Sequence, residues 1–154
     1  MSHDSKAQEN ATDRDAAARQ ELIAAARLAR EFAVAPFSRF RVGAALKTAG
    51  GGVFTGCNIE NATYGLTVCA ERVALWKALS EGAHTFTEIV VVADTDTLTP
   101  PCGACRQLLW EFAGDLRVVL ANMTGRTEAL RLGELMPRAF DLRFLDENRE
   151  RANG

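Results

Sequence analysis

Two segments of this 154-residue chain, "VCAERVALWKALSEG" (68–82) and "TPPCGACRQLLWEF" (99–112), each set cysteine at the start of a stretch with helical apolar spacing. Cys69 opens the first; Cys102 and Cys105 form a C-x-x-C pair in the second, 33 residues downstream. A fold holding both must place two helix N-termini, and one that converges them at the end of a sheet gathers three thiols. The unpaired N–H groups and positive dipole end at each mouth favour thiolate over thiol.

The flanking sequence supplies such a sheet. A helix capped by Asp13 or Asp15 is expected to run to about Val34. Its apolar residues are Leu22, Ile23, Ala26, Leu28, Ala29, Phe32 and Ala33, and Pro36 lies just beyond. "FRVGAALKT" reads as a strand, "AGGG" as a turn and "VFTGCNI" as its hairpin partner. The first cysteine helix, about Cys69–Ser80, then stops at Gly82. "EIVVVAD" (88–94) and "LRVVLANM" are β-branched runs of strands covered on both faces, with the second cysteine helix, about Cys102–Ala113, between them. "GRTEALRL" is a further extended segment. Strands alternating with helices give a mixed sheet with helices on its faces. Residues 1–14 are polar and aperiodic and are expected to be a disordered tail, 15–147 a single domain, and 148–154 a flexible end.

Charge and hydropathy exclude several classes of function. A formal net charge of −2 offers a polyanion little, so no nucleic-acid partner is expected. No apolar run nears the ~20 residues of a membrane span, and "MSHDSKAQENATDRD" lacks the apolar core of a signal peptide. A cytoplasmic location is expected, where four cysteines point to metal or catalysis before disulfides.

Three readings of the thiols stand side by side. Soft thiolates select zinc or iron–sulfur, and three ligands match an open catalytic zinc site that leaves a position for water. Cys57 as a fourth ligand would close the site and make it structural, as in a zinc-stabilised binding module. Unliganded core or redox thiols are the third reading. His3 in the tail and His84 in a connector are poor ligands, and neither is placed to serve a thiol nucleophile. Glu71, alone, is a solvated first-turn carboxylate; two residues from a metal cysteine it can take a water's proton and return it to a leaving group.

"CAERVAL" with "PCGACRQ" resembles the zinc-dependent cytidine deaminases, as do "APFSRFRVGAAL" (35–46), "GCNIENATYGLTVCAERVAL" (56–75) and "LMPRAF" (135–140). The likeness covers about residues 20–140 and is to the small homotetrameric branch. It implies a three-layer α/β/α sandwich around a central mixed sheet. It also implies one Zn²⁺ per subunit on Cys69, Cys102 and Cys105, with Glu71 as proton shuttle in the hydrolytic attack at C4 of cytidine or deoxycytidine. Arg72 and Arg106, each beside a motif residue, can donate hydrogen bonds to the sulfurs. Asn58 and Glu60, two apart on an extended segment, can bracket a ribose hydroxyl, and the carboxylate disfavours a 5′-phosphate. By the same resemblance Phe40 packs against the base, Tyr64 closes the NIEN segment, the Ala70 backbone hydrogen-bonds the base, and Phe140 reaches a neighbouring subunit's active site. The expected role is pyrimidine salvage. Pro100 departs from the expected pattern before "PCGAC". The alternative is a deaminase of a modified cytosine nucleoside of the blasticidin S type; a polynucleotide-editing relative is disfavoured by the acidic balance.

Overall fold

The computed structural model describes residues 3–146, with side chains from residue 15 onward. Helix α1 (His3–Arg30) begins far upstream of the expected cap, so the segment expected to be disordered over 1–14 is helical from His3. Ala, Arg, Glu, Gln and Lys dominate it, and no glycine or proline interrupts it before Pro36. It ends in a tightened turn in which the amides of Glu31, Phe32 and Ala33 donate to carbonyls three residues back. The expected flexible end at 148–154 lies outside the described residues.

The other elements fall close to their expected places. They are β1 (Val42–Thr48), β2 (Val53–Cys57), α2 (Ala70–Ser80), β3 (Phe86–Ala93), α3 (Gly103–Ala113), β4 (Arg117–Asn122) and β5 (Thr127–Arg131); the single turn α4 (Leu132–Leu135), for which the sequence raised no expectation, follows them. The five strands form one mixed sheet in the order β2-β1-β3-β4-β5. Because β1 is antiparallel to both β2 and β3, and β3 is parallel to β4, strands β2, β3 and β4 share a direction. The chain therefore leaves β2 and β3 at the same end of the sheet. There α2 and α3 begin, and this brings the two cysteine mouths together.

Alternation along the strands divides the core into two layers. Ala44, Leu46, Ile89, Val91, Val118 and Leu120 face α2 and α3, meeting Ala74, Leu75, Ala78 and Leu109. Ala45, Val90, Val92, Val119 and Ala121 face α1, meeting Leu22, Ile23 and Ala26. The three-layer α/β/α expectation is met. Leu28 and Phe32, grouped with the apolar stripe by spacing, are instead exposed and rim a groove with Val73 and Lys77 of α2.

Two glycines let helices sit directly on the sheet. A Cβ on Gly43 would fall onto the Ala26 carbonyl and within 2.6 Å of the Arg30 amide of α1. One on Gly56 would fall onto the Ala70 carbonyl and within 2.5 Å of the Ala74 amide of α2. These are backbone neighbours that cannot swing aside, so Gly43→Ala is expected to cost about 3 kcal/mol and lower the melting temperature by about 10 °C in a thermal scan.

Candidate active site

Cys69 and Cys102 are the N-cap residues of α2 and α3, both in extended conformation and neither spending its side chain on a cap. Their sulfurs are thus free to face each other, 3.8 Å apart. Cys105 lies one turn into α3 and is fully buried, and its sulfur joins theirs so that all three lie within 4.8 Å of one another. Sulfurs bound about 2.3 Å from one tetrahedral zinc stand about 3.8 Å apart. The donor set fits one zinc in size and softness, and among the described residues no fourth His, Cys, Asp or Glu joins it. Cys57 lies on the groove between α1 and α2, where burial pushes its thiol up. It closes nothing here.

Cys69 and Cys105 shift one another in opposite directions. The Cys69 thiol is drawn down to about 5, chiefly by a hydrogen bond from Cys105, while Cys105 is pushed upward by the thiolate it faces. The thiolate favoured at Cys69 calls for a cation. Arg72 supplies part of one: its Nη2 donates to the Cys69 sulfur at 3.5 Å and to the Thr67 carbonyl at 3.0 Å, and its guanidinium lies 5.8 Å from the Trp76 ring centre. Arg106 does not follow expectation. Its Nε and Nη1 donate to the carbonyls of Pro101 (2.7 Å) and Leu135 (2.9 Å), so it fixes the chain before Cys102 rather than a sulfur.

Glu71 is buried at 5% exposure in the first turn of α2. Desolvation is the main cause that lifts its carboxyl to about 7, with the Cys69 thiolate adding to the effect. A carboxyl poised there can hold or release a proton near neutral pH.

A cavity of about 160 Å³ opens against these groups. Phe40, Asn58, Ala70, Glu71, Cys69 and Cys102 line it, so six of the expected residues come together. Val42, Thr67, Val68, Val91, Thr99 and Pro100 complete the wall, and these the sequence reading did not single out as site residues, apart from Pro100 as an oddity. Thr67 also lines a second, adjoining cavity of about 360 Å³ with Phe37, Ser38, Glu60 and Tyr64. The NIEN segment is brought here because Ile59 bridges Val34 on one side and Val68 on the other.

Asn58 and Glu60 are both already engaged. Asn58 accepts from the Val42 amide and donates to the Phe40 carbonyl, each at 2.8 Å, which pins the backbone that presents Phe40. Glu60 accepts from the amides of Phe37 (2.9 Å) and Ser38 (3.1 Å) and from the Ser38 hydroxyl. That hydroxyl is the chief cause holding its carboxyl below the usual range. Ser38 is a site-shaping residue missed from sequence, although its place in "APFSRF" is turn chemistry that could have flagged it. Tyr64 is exposed and meets Phe37 edge-on at 6.1 Å. Phe140 is 56% exposed, stacks on Phe144 at 5.7 Å and lines a groove with Trp110, away from the thiols of its own chain.

Comparison with known proteins places this arrangement. Residues 16–122 match the family model described as the cytidine and deoxycytidylate deaminase zinc-binding region. The cytidine deaminase of Halalkalibacterium halodurans is 54% identical over 79% of this chain and 93% of its own length. A crystal structure of cytidine deaminase from Burkholderia pseudomallei, 52% identical, superposes with a TM-score of 0.77 over 79% of this chain and 98% of that one. A blasticidin-S deaminase of Bacillus cereus is more remote, 34% identical over 65% of this chain and 76% of its own length.

Proposed function

The chain belongs to the cytidine and deoxycytidylate deaminase zinc-binding family, and on that premise we propose that it hydrolyses cytidine and deoxycytidine to uridine and deoxyuridine with release of ammonia. The observation that carries this is a cluster of three thiols, two of which, Cys69 and Cys102, line one small cavity together with a buried Glu71. Cys69, Cys102 and Cys105 would hold the zinc. Bound there, the ion supplies Lewis-acid activation of water at neutral pH. The protein's own groups do the rest. Glu71 takes the proton of the attacking water, delivers it to N3 of the ring and then assists the departing amine. Phe40 packs on the base, and the Ala70 backbone orients it. The smaller cavity is sized for a base and the larger, reached past Thr67, for a sugar, with Glu60 and Tyr64 at its edge. Glu60, charged and near that edge, disfavours a phosphate at the sugar's far end. The closeness of the cytidine deaminase relatives, against a remote blasticidin-S one, favours the plain nucleoside.

The direct test is to incubate the zinc-loaded protein with cytidine and with deoxycytidine and follow loss of absorbance and release of ammonia. Turnover of both is expected; no turnover by protein of full zinc content overturns the proposal.

Residues 15–147 act as one deaminase domain in this reading, working in pyrimidine salvage as a homotetramer. Exposed Phe140, Leu142, Phe144 and Leu145 support assembly, since an apolar group of this kind is what a neighbouring subunit covers. Among the described residues no helix is long and apolar enough to cross a membrane. A site built from reduced thiols fits the cytoplasm. If Phe140 completes a neighbour's site, Phe140→Ala is expected to raise KM for cytidine about tenfold while leaving zinc content unchanged, measured by steady-state kinetics and metal analysis.

A further inference from the structure

The segment between β3 and α3 carries Thr99 and Pro100 to the base cavity and Cys102 to the thiol cluster. Among the described residues, no backbone–backbone hydrogen bond is made by residues 95–100. Side chains hold the segment instead. Asn122 Nδ2 donates to the Thr95 carbonyl at 3.0 Å, Arg126 Nη1 to the Asp96 carbonyl at 2.7 Å, and Arg106 Nε to the Pro101 carbonyl at 2.7 Å. The hydroxyls of Thr95 and Thr99, 2.9 Å apart, carry the placement of Thr95 on to the cavity wall.

Asn122 is the centre of this arrangement. It ends β4 and is only 1% exposed, where an amide is tolerated only when its polar atoms are satisfied. Its Oδ1 accepts from the Thr124 amide (3.1 Å), the Thr124 hydroxyl (2.9 Å) and the Arg126 amide (2.9 Å). Two backbone N–H donors on one atom require that atom to be oxygen, so the amide has one orientation and its NH₂ must face Thr95. Its own carbonyl accepts from Arg27 Nη2 of α1 at 2.8 Å. One residue thus ties α1, the β4–β5 turn and the Cys102 segment together.

We propose that Asn122 is a positioning residue for the active site: through Thr95 it sets where Thr99, Pro100 and Cys102 lie, with Arg126 as a second strut. The proposal rests on the deaminase reading above. It predicts that loosening this grip harms substrate turnover and metal retention beyond its effect on folding.

Asn122→Asp keeps an oxygen for the three turn donors but sets a second oxygen against the Thr95 carbonyl. It is expected to lower kcat/KM for cytidine about 10- to 100-fold, and Arg126→Met, at an exposed position, about threefold to fivefold. In both variants zinc should pass to a chelator faster than from wild type. Thr124→Val removes one turn bond without touching the segment; it should lower the melting temperature alone. The proposal is overturned if Asn122→Asp and Arg126→Met melt earlier yet keep wild-type kcat, KM and zinc release. Should Asn122→Asp fail to fold, Arg126→Met decides on the same readouts. If wild type does not turn over cytidine, the deaminase reading falls, while the zinc-release comparison still tests the placement of Cys102.

Discussion

Glu71→Gln is expected to lower kcat for cytidine by about three to four orders of magnitude while leaving zinc content and melting temperature at wild-type values. The amide has the shape of the carboxyl it replaces but cannot accept the proton of the attacking water or carry it to N3. Fold should not suffer, because the native carboxyl sits at 5% exposure and its burial raises it to about 7. A neutral amide there avoids the cost of placing a charge in the same spot. Rate therefore separates from metal content and stability in one variant, which is the signature of a group kept for chemistry. Substrate binding should be little changed, since Phe40 and the Ala70 backbone remain. If Glu71→Gln keeps turnover within a few-fold of wild type, Glu71 is not the proton carrier, whatever the thiols hold.

How legible all this was in the sequence differs from residue to residue, for reasons that can be named. Strands such as "EIVVVAD" and the cysteine helices were readable because local apolar patterning already encodes them, and their boundaries shift by only a residue or two. The start of α1 was not, because residues 3–14 are polar and the reading equated polarity with disorder; intrinsic helix formers without glycine or proline decided otherwise. Leu28 and Phe32 fit a helical apolar spacing but lie exposed on the groove at the sheet's β2 edge and not in the core. At the site, Cys69, Cys102, Cys105 and Glu71 were visible because their chemistry demands rare residue types at fixed spacing. Ser38, Thr67 and Thr99 were not, because hydroxyl residues are common in loops and only tertiary contacts distinguish these. Arg106 shows the converse: adjacency to a ligand suggested a sulfur partner, yet a helix places the side chain by its angular position, which here meets the carbonyls of Pro101 and Leu135. Asn122 was invisible for the same reason, since its partners lie 27 residues back at Thr95 and 95 residues back at Arg27.

Cys105→Ser is expected to empty the site. Of the three thiols it is the fully buried one, so a substituted ligand cannot be replaced from solvent-facing side chains. Serine keeps nearly the same volume, but its hydroxyl is a harder and far less acidic donor than thiolate, and zinc favours the softer one. Metal analysis should find close to one zinc per chain in wild type and less than about a tenth of that in the variant, with deamination at background. Cys57→Ser, on the far groove, should change neither. Melting temperature discriminates further. Anything that binds only the folded chain raises stability in proportion to the logarithm of its concentration above Kd, so wild type should melt higher as zinc is added and Cys105→Ser should not respond. Stoichiometric zinc in Cys105→Ser would mean that Cys69 and Cys102 suffice with some other group. That would refute the three-thiolate site, because Glu71, whose carboxyl reaches Cys105, would then have to serve as a ligand and not as the proton carrier.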